Sequence, residues 1–286
     1  MPRKVLEHRA VRWDDRWAGP YRLLRPHGEC HQGELFVASR TGATGFEKPV
    51  ALWRVHARGP RFLDAVISEA KRAARLSHAH IAHVLDLAVD EAGCFVATEL
   101  PSGMPLEWLA RGTEPLSWPA VATIGRQAAR ALCHAHLRRD SSGKLLGLVH
   151  GRLSPRRIVV GDAGAIVITG FGISKAWVGP PAYRAPERDR GEPIDGRADV
   201  YALGKILSKC LDRHAALPAL MRAIERATEP YQEHRYTAAE LEADLTEMLH
   251  RWSEREDTLA LAKLTGARRP ARLLPQGSVG PERALR

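Results

Sequence analysis

The feature that most constrains the fold is a change of hydrophobic pattern near Gly103. Before it, short apolar runs such as 34–38, 50–52 and 94–98 are typical of β-strands. One helical segment, residues 62–76, interrupts these runs, because its apolar residues recur three and four positions apart. After Gly103 the apolar spacing is mostly helical. The sequence therefore predicts an α+β fold, with a small strand-rich part followed by a larger helical part.

Composition sets the frame for this prediction. The chain has 286 residues, of which 44% are hydrophobic, so it can bury a sizeable core. Its formal net charge of +10 favours acidic partners without identifying one. No stretch reaches the ~18 apolar residues of a membrane span, and the N-terminus has no apolar leader, so we expect a cytoplasmic protein. The cysteines form no C-x-x-C pair and indicate neither a disulfide framework nor a zinc knuckle; they are Cys30, Cys94, Cys133 and Cys210.

Three regions follow from composition and pattern. Residues 1–20 are polar, basic and aperiodic, and we expect them to form an N-terminal extension. Residues 21–251 are expected to form the folded domain, with a smaller lobe at 21–100 and a larger lobe at 104–251. Residues 252–286 become rich in Pro, Gly and Arg, which predicts a mobile C-terminal tail.

Several short motifs in the folded domain carry the functional information. In chain order they are GECHQG at 28–33, VALW at 50–53, TELP at 98–101, HGRLSPRR at 150–157, GFG at 170–172, APE at 185–187 and DVYALG at 199–204. Their order and spacing resemble the bacterial Ser/Thr protein kinase family of the Hanks type, over about four fifths of the chain. The resemblance implies a protein-kinase-like bilobal fold, with one long helix in the smaller, β-rich lobe.

The positions that carry the chemistry of this family differ in the present chain. Trp53 stands where the resemblance implies a phosphate-binding lysine, and Arg152 stands where it implies the base aspartate. Arg157 and Gly170 stand at the two implied metal ligands. Arginine does not lose its proton near neutral pH, and as a cation it repels Mg²⁺. The sequence therefore predicts that the chain is not an enzyme but a pseudokinase, with no metal and no expected cofactor.

The implied nucleotide cleft has changed as well. The middle glycine of the phosphate-covering loop is Cys30, and the adenine-binding amide of the hinge falls on Pro101, which has no N–H. Trp53 either fills part of this cleft or only covers the sheet, and metal-independent nucleotide binding stays open. The implied cleft residues are Gly28, Cys30, Gly33, Ala51, Glu69, Thr98, Glu99 and Pro101.

Arginines gather in the implied catalytic loop, whereas the architectural residues of the family are kept. Arg152, Arg156 and Arg157 either face solvent or form an anion pocket for a phosphate or a carboxylate of a partner. Loss of the chemistry with the architecture kept predicts that the fold is retained for binding. The architectural residues are His150, Phe171, Gly172, Glu187, Asp199 and Arg235.

The function expected from this pattern is a scaffold or allosteric regulator in bacterial signalling that binds a protein partner, such as an active kinase. One alternative is a weak or atypical Ser/Thr protein kinase, or another ATP-using transferase. Another is a binder of nucleic acid or anionic surfaces through the basic tail, although the tail lacks the interleaved aromatics that stack on bases. The histidines His78, His80 and His83 do not predict a metal site, because residues two apart on a helix do not face each other.

Overall fold

The computed structural model describes residues 17–30, 33–41, 47–56, 59–90, 93–112, 115–173, 179–212, 214 and 216–252. For residues 28–30, 41 and 90 it describes the backbone only. Most of the expected extension at 1–20 and all of the expected tail after Trp252 lie outside the described residues. The expectations about residues 1–16 and about the tail therefore stay predictions, whereas Trp17–Ala18 of the expected extension pairs with the first long strand of the sheet.

The smaller lobe is an antiparallel sheet with one helix packed on it. The sheet order is β1-β2-β3-β4-β6-β5, so the helix between β4 and β5 carries the chain past β6 to the far edge. The elements are β1 (Trp17–Ala18), β2 (Tyr21–Cys30), β3 (Gly33–Thr41), β4 (Glu47–His56), α1 (Pro60–Ala73), β5 (Val84–Asp90) and β6 (Gly93–Glu99).

Strand β4 is buried on both faces of the sheet. Val50 and Leu52 pack in one apolar cluster, whereas Ala51 and Trp53 pack in another that includes Ala70 of α1. This division follows from the two-residue period of a strand, which sends successive side chains to opposite faces. The strand pattern therefore turns Trp53 toward the helix and the space between the lobes.

Helix α1 starts earlier than its apolar pattern indicates. Gly59, with φ of 94°, precedes Pro60 at the first helical position, where proline is tolerated because its missing N–H has no partner there in any case. The inner face of the helix buries Val66, Ala70 and Ala73. This packing holds the helix against the sheet.

The larger lobe is mainly helical and contains a short three-stranded sheet, β7-β8-β9. Helix α3 is buried along most of its length and contributes to one large apolar core with α5, α6 and α7. No helix in the described ranges is long and apolar enough to cross a membrane. The elements are β7 (Met104–Pro105), α2 (Leu106–Ala110), α3 (Trp118–Leu137), β8 (Ile158–Val160), β9 (Ile166–Ile168), α4 (Pro186–Asp189), α5 (Arg197–Cys210), α6 (Pro218–Ala227) and α7 (Ala238–His250).

A buried ion pair fixes α4 in the larger lobe. The guanidinium of Arg235 donates to both carboxylate oxygens of Glu187, at 2.8 and 3.1 Å, and both side chains are fully buried. Arg235 also donates to the backbone carbonyls of Glu229 and Arg197 at 2.8 to 3.0 Å. Because these bonds satisfy the guanidinium and the carboxylate together, the pair can remain charged inside the core.

We predict that Arg235→Leu lowers the free energy of unfolding by about 3–5 kcal/mol, because it leaves the Glu187 carboxylate buried without its partner. Urea denaturation measures the change. The matched control is Arg251→Leu, which breaks an exposed pair with Glu247 and should cost less than about 1 kcal/mol. Equal losses in the two variants would contradict this account of the ion pair.

A group of histidines lies where the segment after α1 meets α3. The His78 ring lies between those of His80 and His134, with ring centres 5.4 and 5.0 Å apart. The Nδ1 of His80 bonds to the carbonyl oxygen of Ile166 at 2.9 Å. Burial, together with the neighbouring His134, His80 and Arg130 side chains, lowers the pKa of His78 to about 4. Folding therefore holds His78 neutral at mildly acidic pH.

The lowered pKa of His78 predicts a loss of stability in acid. The unfolded chain, with a histidine pKa of ~6.5, binds more protons than the folded chain between that pH and about 4. Stability should therefore fall as the pH falls through this window. His78→Gln should make the fall of Tm between pH 7 and 5 shallower, as thermal unfolding would show. The exposed His214 gives the control His214→Gln, and the same change in slope for both variants would count against the assignment.

Candidate active site

Asp199 of α5 holds the loop at 150–157 in place through hydrogen bonds. The Asp199 carboxylate accepts hydrogen bonds from the backbone amides of His150 and Gly151, at 2.7 and 2.6 Å. His136 of α3 donates its Nε2–H to the same carboxylate at 2.9 Å. Burial alone would raise the pKa of Asp199, but the hydrogen bonds from His136 and Gly151 outweigh it and lower that pKa. The carboxylate is thus a charged anchor for the loop.

The His150 ring in turn positions the residues around it through hydrogen bonds and packing. Its Nε2–H donates to the Thr169 carbonyl at 3.0 Å, and its Nδ1 accepts from the Arg152 amide at 3.2 Å, so the bonding partners assign one neutral tautomer. Burial lowers the pKa of His150 and favours this neutral form. The ring packs edge-on against Phe171, with centres 4.8 Å apart. The backbone of Arg152 is therefore positioned by a rigid ring.

Arg157 and Trp53 meet in the middle of the cleft. The guanidinium carbon of Arg157 lies 4.5 Å from the centre of the Trp53 ring, within the range of a cation–π contact. Both residues are buried, with 8% and 3% of their surface exposed. The tryptophan therefore packs against Arg157 of the larger lobe as well as against the apolar side chains of its own lobe.

Gly170 completes this group from the other side. A Cβ at this position would lie 3.4 Å from Cδ of Arg157 and 3.6 Å from Nε2 of His150, and the φ of 95° favours glycine. The neighbouring Gly172 lies against Ala73 of α1. The structure thus brings together three of the positions singled out from the sequence, Trp53, Arg157 and Gly170.

Glu69 of α1 lies in the same buried neighbourhood. Only 4% of its surface is exposed. Burial lowers the pKa of His150, and the positive charge of Arg157 acts in the same direction, whereas the negative charge of Glu69 raises that pKa. The carboxylate of Glu69 in the smaller lobe and the guanidinium of Arg157 in the larger lobe therefore both influence the pKa of the same imidazole. Glu69 has electrostatic neighbours even though the implied lysine is replaced by Trp53.

The hinge segment is turned toward the sheet and toward β5. Thr98 lies opposite Ala51 in the strand register and donates its hydroxyl to the Ala51 carbonyl at 3.4 Å. The Glu99 carboxylate accepts from the amide and Nδ1 of His83, at 3.1 and 2.9 Å. Burial would raise the pKa of Glu99, but the bonds from His83 lower it overall. Pro101 follows, with no N–H to offer to a ligand.

The motif at 28–33 requires a glycine at its last position for a structural reason. Gly33 begins β3, and a Cβ there would lie 2.0 Å from the Arg54 carbonyl oxygen, so the close approach of the strands requires glycine. Gly28 and Cys30 lie in β2. The side chain of Cys30 lies outside the described part of the chain. Its predicted crowding of a phosphate therefore stays a prediction.

The residues at the implied metal positions do not fit Mg²⁺. This ion prefers oxygen ligands in octahedral geometry, and Arg157 and Gly170 supply no side-chain oxygen. Over the ranges that the structure describes, no group of three or more His, Cys, Asp or Glu side chains is placed to hold a metal. We therefore assign no step at this site to a metal ion.

The structure separates the arginines of the loop. Arg156 is exposed and donates its Nε–H to Glu107 at 2.7 Å. Arg157 points into the cleft, and Arg152 instead lines a cavity with Arg184 and Arg188.

Sequence reasoning missed Arg184 and Arg188, and it missed His136 as a partner of Asp199. A signal was present for the first two, because they flank the APE motif on both sides. No comparable signal exists for His136, which is 63 positions from Asp199.

Comparison with known proteins agrees with this geometry. The protein kinase domain family model matches residues 44–261. The tyrosine-protein kinase MasK of Myxococcus xanthus is 32% identical over 211 residues, which are 68% of this chain and 33% of MasK. The serine/threonine-protein kinase PknD of Mycobacterium tuberculosis is 31% identical over 225 residues, 73% of this chain and 32% of PknD. The chain spans about a third of the length of these relatives.

Solved structures show the same fold. The crystal structure of the Mycobacterium tuberculosis PknI kinase domain superposes with a TM-score of 0.64 and 25% sequence identity. The match covers 81% of this chain and 96% of that one. The predicted bilobal fold, with a β-rich smaller lobe and a helical larger lobe, is confirmed.

These findings also correct one expectation. The prediction that the chain is not an enzyme is wrong, because the relatives it matches are named as Ser/Thr and Tyr protein kinases and its fold is that of a kinase domain. The residues at Trp53, Arg152, Arg157 and Gly170 describe an unusual cleft, but they do not show that catalysis is lost. On the extent of the match, the chain belongs to the protein kinase family.

Proposed function

We propose that the chain is a weak, atypical protein kinase, which transfers a phosphoryl group from a nucleotide to a protein hydroxyl. The observation that carries the proposal is the buried guanidinium of Arg157, beside Trp53 and Gly170 in the cleft of a kinase fold. Support for phosphoryl transfer as the reaction comes from the family match and from the names of the relatives.

Arginine charge suits the demands of this reaction. In phosphoryl transfer the bond from the γ-phosphorus to the bridging oxygen breaks while a bond to the acceptor oxygen forms, and charge spreads over the phosphoryl oxygens. Catalysis therefore consists mainly of positioning and electrostatic stabilisation. The fixed cation of Arg157 would stabilise that charge, in the way that arginine recognises phosphate elsewhere.

The same residues predict a slow rate. Arg152 stands at the base position and cannot accept the proton of the acceptor hydroxyl, which therefore leaves to solvent. The absence of a positioned base costs ~10²–10⁴-fold in rate. Trp53 narrows the cleft and Pro101 lacks an amide hydrogen, so nucleotide binding is expected to be weak as well.

Transfer of labelled phosphate from ATP to the chain itself and to a generic Ser/Thr-rich protein tests the proposal. We expect slow transfer that Arg157→Gln lowers by ~10-fold or more, because one charge-stabilising group is lost. The control is Arg111→Gln, since Arg111 lies on an exposed helix end and pairs with Glu107. The absence of transfer above that of a mock purification, or an equal loss in both variants, would overturn the proposal.

The packing of Trp53 leads to a second prediction. Trp53→Leu opens space beside Arg157, so ATP should raise Tm more in this variant than in the wild type, even though the variant itself unfolds at a lower temperature. Differential scanning fluorimetry with increasing ATP measures the shift. Trp108→Leu, which changes an exposed tryptophan of α2, is the matched control. If ATP shifted Trp53→Leu and the wild type equally, Trp53 would not restrict the cleft.

A further inference from the structure

A cavity lies beside the loop at 150–157, where Arg152 and Leu153 are among its lining residues. Its volume is about 250 Å³. Among the residues that the structure describes, its lining includes no aspartate or glutamate and consists of Arg152, Leu153, Gly179, Pro180, Tyr183, Arg184 and Arg188.

Arg152 is fixed at the base of this cavity. Its amide donates to Nδ1 of His150 at 3.2 Å, so the buried ring positions its backbone. Its aliphatic stem packs on Gly179, where an added Cβ would lie 3.4 Å from Cβ of Arg152. Gly179 therefore lies directly against the stem of this arginine.

The other two arginines come from one rigid segment. Arg184 follows a single 3₁₀ turn at Pro181–Tyr183, and Arg188 lies in α4, one residue after the buried Glu187. Because the ion pair between Glu187 and Arg235 is fully buried, α4 and the backbone of Arg188 are held in place.

The charge around the cavity is strongly positive. The carboxylate of Asp189 lies 3.0 Å from Nη1 of Arg184, but it is 60% exposed, and exposed pairs contribute little. The ammonium of Lys209 lies 5.9 Å from the centre of the Tyr183 ring and adds positive charge nearby. Among the described residues, the three arginines therefore outnumber the acidic groups near the cavity, and the site favours an anion.

The size of the cavity and the chemistry of its arginines limit the kind of ligand that it can bind. Guanidinium groups bind carboxylates and phosphates through paired hydrogen bonds. The cavity is smaller than the ~300–1,000 Å³ typical of small-molecule sites, and Pro180 at its edge is exposed. A single acidic side chain, carried by a peptide lying across the surface, fits this space better than a free nucleotide does.

We propose that this cavity binds an anionic side chain of a partner protein, either a carboxylate or a phosphorylated residue in an extended segment. The inference deepens the proposed function, on which it rests for the role of that segment as the phosphoryl acceptor. Peptide binding itself requires neither nucleotide nor transfer. The two claims can therefore fail separately.

Fluorescence anisotropy without nucleotide tests the binding. The probes are fluorescein-labelled peptides of about ten Gly, Ser and Ala residues, with three positions occupied by Glu, by Gln or by phosphoserine, added to the full chain. We expect the Glu or the phosphoserine peptide to bind ~10-fold more tightly than the Gln peptide, with the advantage falling as salt is raised. Tighter binding of phosphoserine identifies a phosphorylated partner, and tighter binding of Glu identifies an acidic sequence.

Single substitutions locate the site. Arg188→Gln and Arg152→Gln should each weaken binding of the preferred peptide by ~5-fold or more. Arg190→Gln removes the same charge two residues away and should change it by less than ~2-fold, because the Arg190 guanidinium is held by Glu192 at 2.6 Å. If Arg152→Gln does not fold, as judged from its thermal unfolding, Arg188→Gln decides the test alone.

Three results would overturn the inference. They are equal binding of the Gln peptide, equal weakening by Arg190→Gln and Arg188→Gln, and a Tm shift with inorganic phosphate while none of the peptides binds. Peptide binding without any phosphoryl transfer would overturn the proposed function and leave this inference standing. Transfer without a preference for anionic peptides would do the opposite.

Discussion

The active-site side of the larger lobe depends on one buried carboxylate, that of Asp199. It accepts hydrogen bonds from the amides of His150 and Gly151 and from the ring N–H of His136, so it joins the loop at 150–157 to α3 and α5. Without it, each of these amides would be buried unpaired, at a cost of about 1–3 kcal/mol apiece. The neutral His150 ring then sets the backbone of Arg152 and the packing of Phe171. The positions of the unusual residues thus follow from an anchor that the family pattern retains.

The cleft shows how a change of charge is accommodated inside a kinase fold. A buried guanidinium without compensation would cost several kcal/mol. Around Arg157 the structure provides an aromatic face, in Trp53, and places the carboxylate of Glu69 within electrostatic reach of the same His150 ring. Gly170 lies against the arginine stem, and its φ of 95° favours glycine there. The buried position of Arg157 is therefore explained by these neighbouring residues together rather than by any one of them.

Sequence reasoning succeeded where periodicity and motif order carry the information. The two lobes and the separate faces of Ala51 and Leu52 follow from such local patterns. It left the positions of the loop arginines open, because the sequence does not show that the short turn at Pro155–Arg157 exposes Arg156 and buries Arg157. It also inferred lost catalysis from residue types alone. That step does not follow, because the reaction needs fixed positive charge that different residues can supply.

The contact between Trp53 and Arg157 has a mechanical consequence. The tryptophan belongs to β4 of the smaller lobe and the arginine to the loop of the larger lobe. Their contact therefore joins the two lobes that the segment at 99–103 connects. A rotation that opens the lobes must separate the Trp53 ring from the Arg157 guanidinium and expose both groups to water. The contact therefore contributes to the free-energy difference between the closed and open arrangements of the two lobes, and it favours the closed one.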